Sequence, residues 1–244
     1  MSPDPRAAAV ADAAPRVRAV LWDLDGTLTD SVHFVVDTAN RVIEAHGGVA
    51  LDHEIVGGMT GLPLEAIFRM AWPDLGPDDA TRYRDEYRAI YDREIIPATR
   101  LFRGARATLH AFHQAGLLQA TVTGKRAADC ERILRGLRIT SEIEAYLGGD
   151  SVRHPKPAPD LALAAIERIG AHPDESVVVG DAPADIGMAV AAGARSIQVT
   201  WGWSSARLDG ADHLVRTWPE LRRLVFALAG RPEPILRDRG PVRS

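Results

Sequence analysis

Asp23 and Asp25 are the first residues of this sequence whose types and spacing suggest chemistry. They close a mostly apolar, β-branched run, Val17-Arg18-Ala19-Val20-Leu21-Trp22, and are followed by Gly26-Thr27. Such a run reads as a strand buried on both faces of a parallel sheet. The strand period of two puts both carboxylates on one side and Leu24 on the other. Two carboxylates this close repel, and they stay ionised together only beside a proton or a cation; a hard, oxygen-seeking ion such as Mg2+ suits that place. A second acidic pair follows another apolar run, Ser176-Val177-Val178-Val179-Gly180, with Asp181 at its end and Asp185 four residues on. Taken alone, Asp185 also fits an acid favoured by the dipole at a helix N-terminus.

Two further strand ends carry polar groups. Ala120-Thr121-Val122 ends in Thr123, whose hydroxyl can donate to an anion while the amides of Gly124 and Lys125 lead into a helix N-terminus. Capping alone would account for such a threonine. Lys156 stands between Pro155 and Pro157 just before a helical pattern, in a backbone restricted on both sides. An ammonium held there would neutralise a phosphoryl group and the carboxylates around it.

The elements that must position these groups follow from hydrophobic periodicity. Helical spacing runs over Ser31–Gly47, Leu62–Trp72 and Pro77–Ile95, and no strand is expected between Ser31 and Thr99. Strands and helices then alternate. Helices are expected over Gly104–Ala115, Ala127–Leu137, Ala158–Ile169, Ala184–Ala192 and Trp218–Ala229. Strands are expected over Leu117–Val122, Ala145–Gly149, Ser176–Val179 and Ser196–Thr200, with an edge strand at His213–Val215. Alternation of this kind predicts an α/β fold: a doubly wound parallel sheet with right-handed crossovers. In open sheets of this class ligands bind at the carboxyl ends of the strands, where the acids, Thr123 and Lys156 all fall. The all-helical stretch is then an insertion placed over that edge. The expected division is a discontinuous core of residues 16–31 and 100–230, a helical cap of 32–99, and disordered tails at 1–15 and 231–244. His33 near the hinge, and Thr60 and Gly61 in the loop Gly57-Gly58-Met59-Thr60-Gly61, are candidates to touch a substrate.

Composition narrows the function. With 244 residues, 46% of them hydrophobic, the chain can bury a full core. A formal charge of −4 and the lack of a basic cluster with interleaved aromatics argue against a nucleic-acid partner. No apolar run approaches membrane-spanning length. Residues 1–15 have neither a basic nor a continuous apolar region, so no signal peptide is expected. Cys130 is the single cysteine and reads as a buried structural thiol, so nothing calls for an oxidising compartment and a cytoplasmic place is expected.

In this order, the four segments resemble the haloacid dehalogenase superfamily of phosphohydrolases. Its first motif is matched by Asp23-Leu24-Asp25-Gly26-Thr27, the second by Thr123, the third by Lys156, and the fourth by Gly180-Asp181 with Asp185. The resemblance covers nearly all of Val17–Leu228 and implies a Rossmann-like core with an α-helical cap. Lys156-Pro157-Ala158-Pro159-Asp160 and Val199-Thr200-Trp201-Gly202-Trp203 look most like the phosphoglycolate phosphatase group. Gly124 departs from the frequent Asn, and Ala182 from a frequent Ser. The resemblance implies that Asp23 attacks a phosphomonoester, Asp25 acts as acid and then base, and Thr123, Gly124 and Lys156 hold the phosphoryl oxygens. Mg2+ would bind Asp23, the backbone carbonyl of Asp25 and Asp181, with Asp185 in direct contact or one step behind. The partner is a small phosphorylated metabolite, and the oligomeric state is left open between monomer and dimer. A sugar phosphomutase on the same core remains an alternative. A phosphorelay receiver does not fit, because its acidic pair and phosphoacceptor lie on separate strands and it lacks a helical insertion.

Overall fold

The computed structural model describes residues 15–57, 64–203 and 205–234. Thr60, Gly61 and the start of the helix expected from Leu62 lie outside them, as do residues 1–14 and 235–244 of the expected tails. In chain order the strands are β1 (Ala19–Trp22), β2 (Thr29–Asp30), β3 (Arg100–Leu101), β4 (Leu118–Val122), β5 (Ala145–Leu147), β6 (Ser176–Gly180), β7 (Arg195–Val199) and β8 (His213–Val215). The helices are α1 (Val32–Ala45), α2 (His53–Gly57), α3 (Leu64–Ala71), α4 (Pro77–Ala98), α5 (Ala105–Gln114), α6 (Ala127–Gly136), α7 (Asp160–Arg168), α8 (Pro183–Ala192) and α9 (Trp218–Leu228).

Six strands form one parallel sheet in the order β5-β4-β1-β6-β7-β8. The strand that carries the first acidic pair is thus central, and the chain winds outward from it in both directions. That arrangement opens a crevice at the carboxyl end of β1. Alternation of side chains sends Val20 and Trp22 into one core layer with Phe112, Leu221 and Phe226, and Leu21 into the other with Leu161, Ala165 and Met188. Each of the Val, Leu, Met and Phe side chains among them, once buried, contributes about 1.5–3 kcal/mol relative to exposure. Trp22 also stacks on Phe112 at 6.0 Å and donates its indole N–H to Gln119 at 3.1 Å, so the residue before Asp23 is fixed on both sides.

The helical segment α1–α4 leaves and re-enters the sheet at neighbouring points. Antiparallel pairing of Thr29 with Leu101 and of Asp30 with Arg100 joins its two ends. These two-residue strands are too short to give any alternation, and the sequence reading does not contain them. It also lacks α2. The strand expected over Ala145–Gly149 stops at Leu147, because Gly149–Ser151 turns into a 3-10 helix. The edge strand expected over His213–Val215 has those bounds, and the other expected elements whose residues are described are present with shifted ends.

Candidate active site

Asp23 follows β1 directly and is held by its own amide, which donates to the Val179 carbonyl at 2.9 Å. Lys156 reaches it from the loop before α7, donating to Asp23 Oδ1 at 2.7 Å and to Asp185 Oδ1 at 2.5 Å. All three side chains are buried. Asp181, at the end of β6, accepts from the Thr27 hydroxyl at 3.0 Å and from the Trp203 amide at 2.6 Å. The turn that lets Thr27 reach across needs glycine. Gly26 has φ +81°, and a Cβ there would run into the Asp181 carboxylate.

One cavity of about 330 Å³ collects these groups. Asp23, Asp25, Thr123, Gly124, Lys156, Asp181 and Asp185 all line it from the sheet edge, so every core residue singled out by sequence reaches the same space. The helical segment supplies the opposite wall. His33 does not line this cavity; it is exposed, with Nδ1 3.3 Å from Nδ1 of His53. Its place near the hinge in sequence put it next to the site, but α1 turns its side chain outward. Cys130 is buried, its Sγ 3.1 Å from the Thr121 hydroxyl, and burial pushes the thiol up to about 12.

The electrostatics are those of a site short of positive charge. Burial raises the Asp23 carboxyl well above the usual carboxylate range; Lys156 opposes the rise, and Asp185, Asp181 and Asp25 add to it. Asp181 is raised to about 7, first by burial and then by Asp185. Burial alone would lower Lys156, but Asp185 and Asp23 hold it above its ordinary value. Oxygens of Asp23, Asp181 and Asp185 lie within 4.8 Å of one another. An all-oxygen set of buried carboxylates around a single ammonium fits a small, hard divalent cation.

Sequence reasoning missed Lys125, of which it used only the amide. Its ammonium is 3.0 Å from Asp25 Oδ2, while Asp25 Oδ1 accepts from the Ser31 hydroxyl. Asp25 therefore sits between a cation and a hydroxyl at the junction with the helical segment. Burial disfavours the Lys125 ammonium, but Asp25, Tyr91 and Tyr87 more than offset it, and its pKa is raised. The Thr123 hydroxyl accepts from the Lys125 amide at 3.3 Å, which is the capping role open to any such threonine.

Comparison with known proteins agrees with this geometry. The family model for haloacid dehalogenase-like hydrolases matches residues 20–199. The chain belongs to that hydrolase family. Among related haloacid dehalogenase-like proteins, a phosphoglycolate phosphatase of Xylella fastidiosa (strain Temecula1) is 35% identical over 188 residues, covering 77% of this chain and 82% of the relative. A protein of Dickeya dadantii named probable phosphatase IndB is 32% identical, covering 75% and 81%. A crystal structure of a predicted phosphatase from Clostridium acetobutylicum superposes with a TM-score of 0.76 at 25% identity, covering 87% of this chain and 99% of the other. As an enzyme of this hydrolase family the chain carries the first acidic pair, Thr123, Lys156 and the second acidic pair at one sheet edge. Among the described residues no helix is long and apolar enough to cross a membrane.

Proposed function

We propose that the chain is a Mg2+-dependent phosphatase that hydrolyses a small phosphomonoester metabolite, phosphoglycolate-like or a sugar phosphate, through a phosphorylated Asp23. The observation that carries this reading is the cavity in which Asp23, Lys156, Thr123, Asp25 and the second acidic pair meet. In the same reading residues 16–31 and 100–230 are the catalytic core and 32–99 the cap. The place of action is the cytoplasm, in keeping with a single cysteine that is buried and free.

The Asp23 carboxylate attacks phosphorus in line with the ester oxygen, the P–O ester bond breaks, and Asp25 gives its proton to the leaving alkoxide. Asp25, now ionised, takes a proton from the water that attacks the aspartyl-phosphate, which releases phosphate and restores both residues. Thr123, the Gly124 amide and Lys156 hold the phosphoryl oxygens where negative charge develops. Asp23, Asp181 and the Asp25 carbonyl would hold Mg2+, with Asp185 beside or behind them. When bound, the ion supplies the positive charge that lets the carboxylates and a phosphoryl oxygen share one small space.

Excess chelator should abolish phosphate release, Mg2+ should restore it, and Ca2+ should inhibit, since Ca2+ takes a larger and looser shell. Undiminished turnover in chelator would refute the metal requirement. Asp185 already gives one oxygen to the Lys156 ammonium and the other to the Ala182 amide at 3.1 Å, whereas both Asp181 oxygens accept only from neutral donors, the Thr27 hydroxyl and the Trp203 amide. Asp181→Asn should therefore lose more activity, and more Mg2+ affinity by titration calorimetry, than Asp185→Asn, whose loss should stay within about 10- to 100-fold. A larger loss for Asp185→Asn would exchange the two roles.

A further inference from the structure

Thr200-Trp201-Gly202-Trp203 follows β7, two strands away from β1, and one amide of it, that of Trp203, meets an active-site acid. The stretch leans back across the end of β6 to reach the turn after β1. Trp201 donates its indole N–H to the Thr27 carbonyl at 3.0 Å, and Gly202 lies so close to the Gly26 carbonyl that a Cβ would run into it. The same Cβ would run into the Asp181 carboxylate, as would a Cβ on Gly26. Asp181 is thus bounded by two backbones that carry no side chain. Gly26 needs glycine for its positive φ as well, but Gly202 is outside the left-handed region, so space alone requires glycine there.

The stretch is anchored at each step. The Thr200 amide donates to the Val215 carbonyl at 3.2 Å. The Trp201 ring lies 4.6 Å from that of Trp218, which is itself 6.2 Å from Trp22, the residue before Asp23. Past Trp203, the buried Gln198 side chain donates to the Ala206 carbonyl at 2.7 Å and accepts from the Leu208 amide at 2.8 Å. Core packing alone would account for the stacked tryptophans. It does not account for an amide and a missing side chain that converge on one buried acid. Oδ1 of that acid accepts from the Thr27 hydroxyl and Oδ2 from the Trp203 amide. Neither donor carries a charge, so the carboxylate is oriented without being neutralised, as a ligand of a cation must be.

We propose that Trp201-Gly202-Trp203 is a positioning strap for the cation site. The Trp203 amide and the bare face of Gly202 fix the Asp181 carboxylate, and Trp201 ties the strap to the turn that follows Asp23 and Asp25. The proposal rests on the reading in which Asp181 holds Mg2+ and deepens it. Groups that orient a metal's ligand in this way are worth about 10- to 100-fold in metal affinity.

The test titrates the full chain with Mg2+ by calorimetry in the absence of substrate and, in parallel, follows the Mg2+ dependence of p-nitrophenyl phosphate turnover. Gly202→Ala should weaken Mg2+ binding by about 10- to 100-fold and raise the half-saturating Mg2+ concentration by the same factor, while KM for p-nitrophenyl phosphate at saturating Mg2+ stays near its wild-type value. Trp201→Leu loses both the bond to Thr27 and the stacking on Trp218, and should weaken Mg2+ binding in the same direction. Trp201→Phe keeps a ring on Trp218 and should recover part of that loss. A folded Gly202→Ala protein that binds Mg2+ as tightly as the wild type would overturn the proposal. Should Gly202→Ala fail to fold, unchanged Mg2+ affinity in both Trp201 variants would overturn it instead. An equal loss in Mg2+ affinity and in KM would also do so, since that marks a site disordered as a whole. A wild-type protein that binds no Mg2+ would overturn the metal reading together with the strap. One that binds Mg2+ but leaves p-nitrophenyl phosphate intact would remove the phosphatase reading alone, because the calorimetric comparison needs no turnover.

Discussion

Asp25→Ala should release p-nitrophenol from p-nitrophenyl phosphate in a burst and then slow to a crawl, while its turnover of an alkyl phosphate is crippled from the first cycle. The reasoning is leaving-group chemistry. An alkoxide must be protonated as it departs, whereas p-nitrophenolate is stable enough to leave without help. Asp25 lies two residues from Asp23, lines the same cavity and is equally buried, so it is placed to serve the group that Asp23 displaces. General acid–base assistance is worth about 10² to 10⁴ in rate, so the contrast between the substrates should be large. The slow phase arises because water attacking the aspartyl-phosphate has also lost its base. Equal losses on both substrates with no burst would show that Asp25 serves only geometry, as its contacts with Ser31 and Lys125 would then explain.

Lys156→Met should lower both activity and stability, and the stability loss should depend on pH. The ammonium is the shared partner of Asp23 and Asp185, and its side chain is only 2% exposed. Removing one member of a buried ion pair costs about 3–5 kcal/mol, because the other is left buried and uncompensated. For a chain of this size that is a Tm lower by roughly 10 °C. Loss of a charge aimed at the phosphoryl oxygens should reduce kcat by about 10²- to 10³-fold. The pH sign follows from the raised carboxyls of Asp23 and Asp181. A carboxyl that holds its proton more tightly folded than unfolded favours folding most below the unfolded value, about 4, and that advantage is lost as pH rises through the folded value. Lys156 offsets the cost of the ionised forms in that window. Thermal melts of cation-free protein should thus separate wild type from Lys156→Met more at pH 8 than at pH 4.5, and Mg2+ should narrow the gap. A gap independent of pH would reduce Lys156 to a packing role.

The acids at strand ends were legible because an acid closing a run such as Val177-Val178-Val179 has no place in a core and every place in a crevice. The doubly wound sheet was legible for the same reason, since β1, β4, β6 and β7 are buried along nearly their whole length. What escaped has physical causes. β2 and β3 are two residues each, and their pairing depends on where the helical segment returns, which no local period encodes. Lys125 was hidden because its contact with Asp25 joins residues 100 positions apart, and a lysine after Thr123-Gly124 looks like a solvated helix start. Along α4 the helical period was legible, but its cationic inner stripe at Arg84 and Arg88 becomes visible only once α4 lies over the sheet edge. His33 is the opposite case: it is close to Asp25 in sequence but does not line the cavity.

The claim on which everything else depends is that Asp23 becomes phosphorylated, and the most direct measurement is rapid acid quenching of Asp25→Ala during turnover of p-nitrophenyl phosphate with Mg2+, followed by peptide mapping. The expected result is phosphate on the peptide containing Asp23, sensitive to hydroxylamine, accumulating in step with the p-nitrophenol burst, and absent from Asp23→Asn. An enzyme that turns over without any label at Asp23, while inverting configuration at a chiral phosphoryl centre, would instead transfer the group directly to water, and the nucleophilic role of Asp23 would be wrong.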